Sequence, residues 1–186
     1  MISKCQIHCS PSKYDDHNIL YGIRESSVPF IMKGAGLTHG GFYSHFENKE
    51  ELIAATCTSI IDHTLDELRV IASNEQPESQ IDRIVDYYLS PKHRDHVEKG
   101  CIIPILSGEI AQSSDEIQNM FSQELNRYME FISEISGCDQ TTSGAVLSIL
   151  VGSLLLARGI KDDMLSTEIL NQGKLQAKHL LKFPRP

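Results

Sequence analysis

The sequence predicts an all-α protein: a short helix-turn-helix head followed by a longer helical bundle. Two observations carry this. From about residue 26 onward apolar residues recur at spacings of three and four, and no alternating apolar and polar run is long enough to read as a strand. Ahead of the long amphipathic segments lies the seventeen-residue stretch GLTHGGFYSHFENKEEL, Gly36 to Leu52, with three glycines, two histidines and three aromatics. The chain has 186 residues, 40% hydrophobic and 23% charged, enough for one or two small domains with a true core. We expect a head over residues 1–47 and a helical domain over 48–186.

In the head, Val28-Pro29-Phe30-Ile31-Met32-Lys33 reads as a short helix with Ser27 as N-cap and Pro29 in its first turn, ended by Gly34 and Gly36. Thr38 can cap a second short helix running through Phe46. Two short helices about a tight glycine-containing turn define the helix-turn-helix arrangement.

Beyond the head, Asn48 and Glu51 have the spacing of a capping box, and Leu52, Ile53, Cys57, Ile60, Ile61, Leu65, Leu68 and Ile71 then mark one long amphipathic helix over 48–73. Asn74 to Glu78 breaks it. Ile81, Ile84, Val85 and Tyr88 mark the next helix, which ends before Ser90-Pro91, and Pro91 to Gly100 reads as a charged loop. Helices follow over 103–112 and 116–135, the second closed by Gly137. Residues 143–157 are nearly all apolar, and 166–181 form a last amphipathic helix. The 143–157 run is too short and too interrupted by Ser148, Gly152 and Ser153 for a membrane span, which needs about 18 or more apolar residues. Gly144, Ser148 and Gly152, four apart, give it a face of little bulk, suited either to a helical dimer interface or to intramolecular packing.

The net charge of −8 argues at first against nucleic acid, whose phosphates are held by Lys and Arg. The charge is uneven, however. Residues 1–49 carry Lys4, Lys13, Arg24, Lys33 and Lys49 against Asp15, Asp16, Glu25 and Glu47, so the head is +1 and the remainder −9. Any anion-binding surface therefore belongs to the head. The first residues hold no apolar run of secretion-signal length, and five cysteines at irregular spacing read as reduced thiols. Both point to the cytoplasm.

Ser26-Ser27-Val28-Pro29-x-Ile31-Met32-x-x-Ala35-Gly36-Leu37-Thr38-x-Gly40-x-Phe42-Tyr43-x-His45-Phe46-x-Asn48-Lys49-Glu50-x-Leu52 resembles the DNA-binding head of the tetracycline-repressor (TetR) family, densely over residues 22–56. The segment Gly100-Cys101-x-x-Pro104-x-Leu106-x-Gly108-Glu109-Ile110-Ala111 is similar to a subgroup of that family's C-terminal domains. The resemblance implies a homodimeric transcriptional regulator, a repressor, that binds near-palindromic double-stranded operator DNA and is released by a small-molecule inducer. It implies base-facing positions at His39, Gly40 and Gly41 behind Thr38, phosphate contacts from Tyr43 and His45, and a further contact from Lys49 at a helix N-terminus that favours anions. It implies no cofactor, no metal and no enzymatic activity. For the inducer, Tyr87, Tyr88, Cys101, Met120, Phe121 and Met129 combine apolar bulk with an adaptable or polar tip.

The chain departs from the family at its start. If Gly22 is the family's glycine, its Leu-Phe pair falls on His17 and Asn18 and its two alanines on Lys13 and Tyr14, so the segment is polar or aromatic where a core face belongs. The alternative is thus a dimeric ligand-binding member that has lost DNA binding. An enzyme is the rival of a different class: Pro91-Lys-His93-Arg-Asp95-His96 offers a His-x-x-His pair with a carboxylate, and Cys5, His8 and Cys9 offer three zinc-type ligands. Neither set has a fourth ligand at a recognisable distance, and a solvated loop and a loose tail are the plainer readings.

Overall fold

The computed structural model of the protein describes Tyr43, residues 46–97 and residues 101–182. The predicted helices of the head, with Thr38, His39, Gly40, Gly41 and His45, lie outside the described residues. Seven helices fill the described part: α1 Lys49–Ser73, α2 Pro77–Tyr88, α3 Pro91–Asp95, α4 Ile103–Ile110, α5 Asp115–Ser136, α6 Gln140–Gly159 and α7 Asp163–Lys182. No strand occurs among the described residues.

Each helix is bounded by local chemistry. Asn48 Oδ1 accepts the Glu51 N–H at 2.8 Å, and Glu51 reaches back to accept the Glu47 N–H at 2.7 Å, so orphan amides at the start of α1 are satisfied by side chains. Pro77 opens α2 and Pro91 opens α3, where a missing N–H costs nothing. Gly137 closes α5 with φ of 71°, a left-handed cap that any side chain would strain, and its N–H bonds the Ser133 carbonyl at 2.8 Å. Two residues later Asp139 caps α6 by accepting the Thr142 N–H at 2.7 Å.

The described residues fall into two compact units. One holds the chain up to His63 together with Cys101–Glu124; the other begins at Thr64, leaves off before Cys101, and resumes at Leu125. Helices α1 and α5 each contribute to both. In the first unit Leu52, Ile53, Cys57, Ile60 and Ile61 of α1 are buried, as are Ile103, Leu106 and Ile110 of α4 and Ile117 of α5. In the second, α6 packs along α7, while α2 and α3 also pack on this pair. Leu154, Ala157, Leu170 and Ala177 are sealed in that core. Burying a Leu or Ile side chain is worth about 1.5 to 3 kcal/mol, which is why these stripes decide the fold more than helix propensity does.

The charged loop expected over 91–100 is corrected at its first half. Ser90 accepts the His93 N–H at 3.1 Å and Pro91 takes the first helical position, so Pro91–Asp95 turns into a helix. His93 is buried there rather than solvated.

Helix α6 is long and apolar enough by length and composition to cross a membrane, and part of it is buried within the chain. Its buried face packs on α7. The opposite face supplies the remaining apolar surface.

Candidate functional site

Two regions hold the residues singled out by sequence. At the start of α1, Tyr43 is 65% exposed, Phe46 is buried and Lys49 is half-buried at the first helical position. Lys49 thus stands where backbone amides emerge from the helix N-terminus. Glu50 and Glu51 share this first turn and offset part of its attraction for anions.

The six residues chosen for ligand contact divide between the units. Tyr87, Tyr88 and Met129 belong to one, and Cys101, Met120 and Phe121 to the other. Tyr88, Cys101 and Phe121 are buried, while Tyr87, Met120 and Met129 are partly exposed. Tyr87 and Tyr88 meet at His93. The Tyr87 ring stacks on the imidazole at 5.8 Å between centroids, and Tyr88 meets it edge-on at 4.8 Å. Burial and the coulombic field of Glu67 raise the Tyr87 hydroxyl above its ordinary pKa. Met129 packs at α6, its Sδ 3.2 Å from where a Cβ on Gly144 would lie.

Of the His-x-x-His pair, His93 is buried and hydrogen-bonded within the chain. Its Nδ1–H donates to the Tyr88 carbonyl at 2.6 Å, since a carbonyl can only accept. Burial, helped by nearby Arg158, pushes its pKa down to about 4, against the backbone hydrogen bond that favours the charged form. His96 instead lies exposed and bonds the Lys92 carbonyl at 2.9 Å. No group of three or more His, Cys, Asp or Glu among the described residues could hold a metal ion.

Around α3 two arginines carry the polar contacts. Arg158 donates from Nη2 to the His93 carbonyl at 3.0 Å and from Nε to the Arg94 carbonyl at 3.3 Å. Arg94 in turn pairs with Asp95 at 2.7 Å and Asp163 at 2.9 Å, and donates to Ser166 Oγ at 2.9 Å. A recess of about 250 Å³ lies here.

The second region is one that the pattern pointed to only in part. A groove of about 390 Å³ runs between α6 and α7, lined by Ser148, Ile149, Gly152, Ile169, Gln172 and Gln176 among others. Neither this groove nor the recess is lined by any of the six ligand candidates. Leu155, Leu156, Met164, Leu165 and Leu175 on the same two helices are 50 to 85% exposed. Leu155 and Leu156 were missed because the unbroken run Leu154-Leu155-Leu156 hides its faces. Only an i, i+4 reading from buried Leu150 and Leu154 separates them.

Among the described residues the chain is all helical, and its glycine-rich, aromatic amino-terminal stretch leads in sequence into the long capped helix α1. Residues 19–56 match the family described as bacterial regulatory proteins, tetR family. The chain is similar to the uncharacterized HTH-type transcriptional regulator YvdT of Bacillus subtilis (strain 168), 30% identical over 77 residues, and the match spans 40% of each chain. Its fold is similar to that of NemR from E. coli in the reduced form, with a TM-score of 0.75 at 17% identity, covering 93% of this chain and 94% of that one. It is also similar to AibR, solved in complex with isovaleryl coenzyme A and operator DNA, with a TM-score of 0.61 at 15% identity over 89% of this chain and 96% of that one. The family-model match is confined to residues 19–56, and the likeness to the solved structures is one of fold.

Proposed function

We propose that the protein is a transcriptional repressor that binds near-palindromic operator DNA as a homodimer and leaves it when a small, largely apolar inducer binds the helical domain. The observation that carries the proposal is the uncovered apolar face of α6 and α7, where Leu155, Leu156, Leu165 and Leu175 are each at least half exposed beside a groove floored by Gly152. A face of this kind is costly for a chain on its own and fits a self-complementary interface between two copies. Two copies related by a twofold axis would present two heads to successive major grooves about one helical turn apart.

In the head, His39, Gly40 and Gly41 would face base edges behind the capping Thr38, while Tyr43, His45 and Lys49 would grip phosphate. The exposure of Tyr43 and the place of Lys49 at the start of α1 are compatible with these roles. Tyr87, Tyr88, Cys101, Met120, Phe121 and Met129 are the candidate inducer contacts. Induction needs only that the ligand prefer a state in which α1 is displaced, and DNA must then weaken ligand binding by the same factor. That one neighbour of this fold was solved with an acyl coenzyme A and operator DNA supports a fold able to take both.

The test is a fluorescence-anisotropy titration of the full-length protein against the DNA upstream of its own reading frame, at low and moderate salt, with unrelated DNA as competitor. Binding that survives competition is the expected result. The polar run Lys13 to Asn18 favours a second reading, a dimeric ligand-binding module without operator activity. Absence of specific binding by a folded dimer would select it.

A further inference from the structure

Helix α5 buries one stripe along its length: Ile117, Phe121, Glu124, Tyr128 and Phe131, spaced four, three, four and three. Every member is apolar or aromatic except Glu124. That glutamate is only 5% exposed, and the Thr58 hydroxyl of α1 donates to its Oε1 at 2.9 Å across 66 residues of sequence. Beside Thr58 in sequence, α1 buries Cys57, Ile60 and Ile61. An acidic side chain at a core position is expensive, and an apolar residue of similar volume would pack there at least as well. What a buried polar pair supplies instead is register, because its hydrogen bond has one acceptable alignment where apolar contacts tolerate many.

We propose that Thr58 and Glu124 form a register pin that fixes the head-proximal part of α1 against α5, and so sets the position from which the DNA-binding head is presented. The inference rests on the operator-binding reading given above. Both partners lie in the same compact unit, which takes α1 as far as His63 and α5 as far as Glu124, the residue that bonds Thr58. Lys49 stands nine positions before Thr58 on the same unbroken helix, about 13 Å away at 1.5 Å per residue, so a slip at the pin is carried rigidly to the phosphate-facing end. Thr58 and Glu124 are positioning residues in this scheme.

Three variants of the full-length protein test it. Glu124→Leu removes the acceptor, Thr58→Val removes the donor without changing shape, and Thr58→Ser keeps the hydroxyl. In the first, Thr58 can fall back on the Ala54 carbonyl of its own helix, so no buried donor is orphaned. Hydrogen exchange over Lys49–His63 should quicken in Glu124→Leu and Thr58→Val and stay at the wild-type rate in Thr58→Ser. The melting temperature of Glu124→Leu should not fall. Affinity for the upstream DNA should drop about fivefold or more in the first two and hold in Thr58→Ser, the scale of an ordinary coupling free energy. Wild-type exchange in Thr58→Val would overturn the pin. Quickened exchange with unchanged DNA affinity would overturn its link to the head. Should the wild-type protein itself ignore the DNA, the operator reading fails and the link to the head with it, while exchange still decides whether the pin holds α1.

Discussion

Gly173 of α7 faces Ser153 of α6 so closely that a Cβ on the glycine would fall 2.8 Å from the Ser153 Cβ and 3.0 Å from Leu89 Cδ1. Gly173→Ala therefore sets a helix-propensity gain of up to about 1 kcal/mol against an overpacking cost of about 1 to 3 kcal/mol. We expect net destabilisation, read as a lower urea midpoint with an unchanged slope. Ser153→Gly should recover much of the loss in the double variant, whereas additive losses would contradict this origin.

His93 gives the chain an acid-sensitive element. Its folded pKa of about 4 lies below the ordinary value of 6.5, so the unfolded chain binds the extra proton first as pH falls. Its contribution is present above about pH 6.5, is lost between there and about pH 4, and amounts to about 3 kcal/mol. Chemical denaturation at pH 7.5 and 4.5 should show the decline, and His93→Gln should flatten it. An equal decline in that variant would assign the effect to groups other than His93.

Leu156 is 59% exposed on the uncovered face of α6. If two copies pair through this face, Leu156→Glu should yield a folded monomer by light scattering, with helical circular dichroism intact, because each copy's new charge is set against apolar surface or its own twin. An unaltered dimer would move the interface elsewhere.

Lys49→Ala should weaken binding to all DNA sequences and reduce the salt slope by about one, whereas His39→Ala should mainly relax base preference. Competition titrations with specific and unrelated DNA separate the two outcomes. Unchanged affinity in both variants would remove this surface from the interface.

The long helices were legible because their evidence is periodic. The apolar series from Leu52 to Ile71 and the Asn48 and Glu51 pair mark α1 within one residue at its start, and Gly137 marks the end of α5. Helix α3 was not legible as a helix, since Lys92, His93, Arg94 and Asp95 carry no apolar stripe; the Ser90-Pro91 cap was its one signal. The burial of His93 rests on Tyr87 and Tyr88 stacking on it, a contact that residue type alone does not announce. The small-residue face of α6 was read as a place of close helix approach. Of that face Gly144 lies close to Met129 and nothing stands within 4 Å of a Cβ on Gly152, while the close approach of α7 falls on the neighbouring Ser153, which Gly173 meets. Glu124 was passed over inside the apolar series of α5 because a single acidic residue does not break helical spacing.

The open side of α6 also bears on how the chain's stability should be measured. With Leu155, Leu156, Met164 and Leu165 facing water, a solitary copy keeps a strip of oily surface that only a partner can shelter. If the partner is another copy, folding and assembly obey a common mass-action law. Melting temperature then becomes a function of how much protein is in the tube, and dilution alone acts as a mild denaturant.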